Sequence, residues 1–135
     1  MSIEVDHLGI AVRSLEEGLA FYEQLLGMPV AQKETVAAEQ VMVAMLPTGA
    51  PHKGPRIELL EATDGNSTVA KFIEKRGPGL HHIALRVDDL ASVVARLTAS
   101  GARLMNEPRS GAGGHTYVFV HPASAGGVLV ELIQK

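Results

Sequence analysis

The chain has 135 residues, 46% of them hydrophobic, a formal net charge of −3 and no cysteine. That composition fills the core of one domain and excludes a disulfide framework, a thiolate metal site and a cysteine nucleophile. With no basic run or aromatic-basic face a nucleic-acid partner is not expected, and no stretch approaches the roughly eighteen apolar residues of a membrane span.

The start, MSIEVDHLGIAV, carries no basic leader ahead of an apolar run, so a cytoplasmic location and a small-molecule ligand are expected. Val5 to Val12 alternates as a strand, with Leu8, Ile10 and Val12 on one face and His7, Gly9 and Ala11 on the other. Ser14 and Glu17 make a capping-box pair, and Leu15, Leu19, Tyr22 and Leu26 recur at helical spacing until Gly27 stops the run. Three strand-like runs follow, Met28 to Gln32, Val41 to Leu46 and Arg56 to Glu61, with a loop at Pro47 to Pro55. Asn66 or Ser67 starts a linking helix that carries Val69 and Phe72 and is broken by Gly77-Pro78-Gly79.

The same order then returns. Ile83, Leu85 and Val87 alternate after His82, Asp89 caps a helix with Leu90, Val93, Val94 and Leu97 as its apolar stripe, and Gly101 stops it. Strand-like runs follow at Arg103 to Met105, Thr116 to Val120 and Val128 to Ile133. His7 and His82, Leu15 and Leu90, Leu19 and Val94, and Tyr22 and Leu97 are all 75 positions apart, which points to a duplication. The expected fold is α+β, with two tandem βαβββ modules, about 3–63 and about 79–135, joined by the helix at about 66–76 in a single domain spanning 1–135.

The last strand of each module holds an acid among aliphatic residues, Glu58 in Ile57-Glu58-Leu59-Leu60 and Glu131 in Val130-Glu131-Leu132-Ile133. A carboxylate in such a setting is costly unless something compensates it. These two lie 73 positions apart, so the duplication pairs both histidines and both glutamates. Taken singly, the histidines read as satisfied core histidines and the acids as halves of isolated salt bridges. In register with the repeat, His7, Glu58, His82 and Glu131 point to one divalent metal, Co, Ni, Mn or Zn, in a trough shared by the modules, with positions left for water or substrate.

His81 alternates with Ile83 and Leu85 and so faces away from His82, a structural role. His52, His115 and His121 fall in or beside loops and read as solvated or hydrogen-bonding groups. Gly111 to Gly114 lacks the strand-to-helix context of a phosphate loop and reads as a mobile stretch. Lys71, Lys75 and Arg76 read equally as a solvated helix face or as contacts for phosphate groups, and stay outside the candidate site.

The duplicated plan with these four residues resembles the vicinal oxygen chelate (glyoxalase/bleomycin resistance/dioxygenase) superfamily across essentially the whole chain. Within it, DHLGIAV, IELLE, STVAKFIEKRGPGLHHIALRVDD and HPASAGGVLVEL are similar to the methylmalonyl-CoA epimerase family. The resemblance implies a trough-bound metal held by the four residues and interconversion of the (R) and (S) forms of an acyl-CoA substrate. It also implies Glu58 and Glu131 as proton carriers, and a homodimer. Some family members have Gln at the Glu58 position and an extra Glu on the preceding strand, which here reads Val41-Met42-Val43-Ala44-Met45; the identity of one catalytic base rests on that difference. The alternatives within the superfamily are glyoxalase I acting on a glutathione hemithioacetal, and a protein that sequesters a ligand without turnover.

Overall fold

Two units make up the residues described by the computed structural model, 2–111 and 114–135: His7–His81, and the residues up to Asp6 together with His82–Lys135. Ala112 and Gly113, inside the Gly111–Gly114 stretch that reads as mobile, lie outside the described residues.

Strand β1 (Ile3–Ala11) contributes its part from His7 onward to the first unit. Ser14 then caps helix α1 (Leu15–Leu19), its hydroxyl accepting from the Glu17 amide at 3.1 Å, as the capping-box pair predicts. The helix does not run on to Leu26 in α-helical form. It widens into a π-helical segment, Ala20–Leu25, before Gly27 takes a φ of 79°. Strands β2 (Gln32–Val36), β3 (Val41–Leu46) and β4 (Arg56–Ala62) follow, and the sheet order is β2-β3-β4-β1, with β1 and β4 parallel.

The strand expected at Met28 to Gln32 begins only at Gln32. Pro29 has no amide to give to a ladder, and the alternation there serves burial instead, since Met28 and Val30 pack against the core. Helix α2 (Thr68–Arg76) starts on Ser67, whose hydroxyl accepts from the Ala70 amide at 3.0 Å, and ends at Gly77.

Alternation divides the layers. Leu59 and Leu46, both fully buried, pack with Ala44 and Val12 against Leu15 and Leu19 of α1. Burying a leucine side chain of this kind is worth about 1.5–3 kcal/mol. On the opposite face of the strands, Ala11, Val43 and Leu60 pack with Val69 of α2. His7 and Glu58 share that second face, further along the same two strands.

The second unit repeats the plan with β5 (Gly79–Val87, from His82 onward), α3 (Leu90–Ala99), β6 (Arg109–Ser110), β7 (Thr116–Val120) and β8 (Val130–Gln134), in the order β5-β8-β7-β6. Val87, Leu90, Val118, Val120 and Leu132 form its core, with Val93, Val94 and Leu97 of α3 packed against them. Arg103 to Met105, expected as a strand, makes only a bridge between Leu104 and Val120. The Asn106 side chain takes the next amide, accepting from Phe119 at 2.9 Å, and Pro108 has none to offer. The last strand begins two residues later than expected, after Gly126 and Gly127 turn the chain at positive φ.

The two parallel ladders have one register. Leu8 opposes Ile57, Gly9 opposes Glu58 and Ile10 opposes Leu59; Ile83 opposes Val130, Ala84 opposes Glu131 and Leu85 opposes Leu132. Each pair in the second unit is its counterpart in the first displaced by the two sequence offsets.

Candidate metal centre

In each unit the ligand-type histidine sits two residues before the small residue that faces the glutamate, Gly9 for Glu58 and Ala84 for Glu131. Residues two apart on a strand share a face. The histidine and the carboxylate therefore meet diagonally over a position with no bulky side chain. His7 Nε2 lies 3.4 Å from Glu58 Oε1, and His82 Nε2 lies 3.3 Å from Glu131 Oε1. Both histidines are 4% exposed, so each carboxylate finds its partner in a site largely closed to water.

These spacings bear on whether a metal fits. A charge-assisted N–H···O bond is about 2.7–2.9 Å long, shorter than either pair. Two donors that each lie about 2.0–2.1 Å from a common ion at the tetrahedral angle are roughly 3.3–3.4 Å apart. Imidazole nitrogen with carboxylate oxygen is also the donor set for a borderline divalent ion. Each half-site, His7 with Glu58 and His82 with Glu131, therefore has the donor types and spacing of a metal ligand pair.

Sequence reasoning overlooked the neighbours of these pairs. Phe119 lies directly across β7–β8 from Glu131, and its ring meets the His82 imidazole edge to face, with centroids 5.7 Å apart at 89°. Tyr117, on the same strand face, packs against Phe119 in the same manner at 5.8 Å. The alternation of Thr116 to Val120 was the available signal, since it puts both rings on one face. Met45 holds the corresponding position opposite Glu58.

Near the start of β1, buried Asp6 is paired with Lys135 Nζ at 2.7 Å. Arg86 is ion-paired with Glu4, and that hydrogen bond holds its guanidinium above the ordinary arginine value. Three other histidines lie elsewhere. His81 packs edge to face on Phe72 at 5.2 Å, His52 sits in a loop at a φ of 66°, and His121 Nδ1 accepts from the Ala123 amide at 3.0 Å. Arg76 lies over the Phe72 ring at 5.8 Å.

Parallel ladders that present matched His–Glu pairs from a duplicated βαβββ unit define a class. Residues 6–119 match the Glyoxalase/Bleomycin resistance protein/Dioxygenase superfamily, and the chain belongs to it. Human mitochondrial methylmalonyl-CoA epimerase is 36% identical, over 96% of this chain and 73% of its own length. The crystal structure of methylmalonyl-CoA epimerase from Mycobacterium tuberculosis is 38% identical with a TM-score of 0.88, covering 97% of this chain and 87% of that one. A variant of the Streptomyces coelicolor methylmalonyl-CoA epimerase, in complex with 2-nitronate-propionyl-CoA, is 34% identical with a TM-score of 0.90 over 99% of each chain. Within the superfamily, the family is that of the methylmalonyl-CoA epimerases.

Proposed function

We propose that the chain interconverts (R)- and (S)-methylmalonyl-CoA by moving the α-proton of the malonyl group, and that residues 1–135 act as one domain. The observation that carries this reading is the pair of buried His–Glu contacts in identical register, 3.4 Å in one unit and 3.3 Å in the other. Family membership supplies the substrate class, since the Streptomyces relative is complexed with an acyl-CoA analogue.

His7, Glu58 and His82 make up a candidate metal group by donor chemistry, and Glu131 joins through its contact with His82. Bound there, one divalent ion of the Co, Ni, Mn or Zn kind would supply Lewis acidity toward the oxygens of the thioester and carboxylate, so that the α-proton becomes more acidic. The chain's own residues then handle the proton. Glu58 or Glu131 takes it from one face of the α-carbon, and the C–H electron pair moves toward the thioester oxygen. The other glutamate, which would have to loosen from the ion to carry a proton, returns one to the opposite face, and the stereocentre is inverted. The two carboxylates finish with their protons exchanged, and solvent restores them.

Leu60, two residues from Glu58 on its strand face, is buried, as is Tyr117, whose ring packs on the Phe119 that opposes Glu131. The working form is a cytoplasmic homodimer, which sedimentation at micromolar concentration tests, a monomer with full activity being the opposing result. For the reaction itself, the purified chain is assayed on methylmalonyl-CoA and on the glutathione hemithioacetal of methylglyoxal. Epimerisation of the first without turnover of the second is expected. Turnover of the hemithioacetal alone would replace this reading with glyoxalase I.

A further inference from the structure

Both units carry a second matched contact, on the strand face opposite the histidines. The Leu15 amide, first in α1, donates to Glu61 Oε1 at 2.7 Å, and the Leu90 amide, first in α3, donates to Gln134 Oε1 at 2.7 Å. Leu15 and Leu90 stand 75 positions apart, as His7 and His82 do, and Glu61 and Gln134 stand 73 apart, as Glu58 and Glu131 do. The contact therefore belongs to the duplicated plan. The first amides of a helix have no partner within it, and the N-caps Ser14 and Asp89 already serve the amides of Glu17 and Ser92.

What this contact joins matters more than its bond strength. Helix α1 follows the strand that carries His7, and Glu61 stands three residues beyond Glu58 on β4; α3 and Gln134 relate to His82 and Glu131 in the same way. A hairpin fixes the register of its strands through its turn, but a parallel pair has no such turn and is joined by a long crossover. A slip of two residues would keep every side chain on its own face while moving the glutamate about 6.6 Å from its histidine. A side chain at the end of the glutamate strand, bonded to the helix that ends the histidine strand, opposes that slip.

We infer that Glu61 and Gln134 are positioning residues that pin the parallel ladders in the register where His7 meets Glu58 and His82 meets Glu131. As a route to metal affinity this rests on the metal reading above; as a register device it does not. The two halves use different acceptors, an acid and an amide, so the required feature is a side-chain oxygen at this reach.

The test compares Glu61→Ala, Glu61→Gln and Ser14→Ala on two readouts. Ser14→Ala removes a hydrogen bond from the same helix start without releasing β4, and so separates positioning from plain stability. In metal-free protein, amide exchange along the β1–β4 ladder is expected to quicken about ten-fold in Glu61→Ala and to stay near wild type in the other two. On titration with Co or Zn alone, affinity is expected to fall about ten-fold in Glu61→Ala and to be restored in Glu61→Gln. Equal effects of Ser14→Ala and Glu61→Ala on ladder exchange would overturn the inference, as would unchanged exchange in Glu61→Ala. A wild-type chain that binds no metal would overturn the metal reading, and the exchange data would still decide for or against the pin.

Discussion

The His7–Glu58 half and the His82–Glu131 half agree where the parallel ladder runs and at the helix starts tied to it, and differ in the helices and outer strands beyond. Their His–Glu contacts are 3.4 and 3.3 Å, and Gly9 and Ala84 occupy the same place opposite the two glutamates. Outside the ladder, α1 gives way to a π-helical segment whereas α3 runs ten residues, and β2 has five residues against two in β6. Met45 faces Glu58 where Phe119 faces Glu131. Gly18 presses α1 close to Val12 and Leu59, and Val93 stands 75 positions on in α3. Two strands in fixed register bring an imidazole to a carboxylate, and the tie between each helix start and its glutamate strand is a feature beside the ladder that both halves keep.

The comparison breaks most severely at the histidines. His7→Ala and His82→Ala are each expected to abolish stoichiometric metal binding and epimerisation, because both imidazoles are proposed metal donors. Elemental analysis checks this, and full metal retention in either variant would dissolve the symmetry between the halves. Next come Glu58→Gln and Glu131→Gln, which retain a coordinating oxygen and lose the titratable proton. Epimerisation should fall about 10²–10⁴-fold in each. Measured with single stereoisomers in heavy water, each variant should still exchange the α-proton of one isomer, and the two should prefer opposite isomers.

Stability measurements sharpen the contrast further. A Cβ at Gly18 would stand 2.9 Å from both Leu59 Cδ1 and Val12 Cγ1. Giving α1 the residue found at the matched position of α3, Gly18→Val, is therefore expected to cost about 1–3 kcal/mol in urea unfolding through overpacking. Smallest is Phe119→Leu. Loss of the edge-to-face contact with His82 is expected to cost about 1 kcal/mol beyond the area effect. Met45→Leu, which disturbs no aromatic pair and nearly conserves volume, should cost less.

Most of the ladder was legible because alternation and the 75-residue offset act on the same residues. His7 and Glu58 share a face for the same reason that Ala11 and Leu60 do. The caps were legible at Ser14, Ser67 and Asp89, where a short polar side chain precedes an apolar stripe. Met28 to Gln32 misled because alternation reports burial and not pairing, and Pro29 removes a donor. The π-helical segment has no periodic signature that separates it from an α-helix over six residues. Glu61 and Gln134 escaped notice since an acid or amide at a strand end reads as a surface group, although their 73-residue spacing was the same signal that singled out Glu58 and Glu131.

The most direct test is the deuterium content of methylmalonyl-CoA incubated with the chain in heavy water, before and after removal of divalent metal by a chelator. Deuterium is expected at the α-carbon of both stereoisomers as they interconvert, to be lost on chelation and to return with one equivalent of Co, Ni, Mn or Zn per chain. Exchange at an undiminished rate in protein shown by elemental analysis to be metal-free, or no exchange in the metal-loaded protein, would contradict a metal-assisted proton transfer between Glu58 and Glu131.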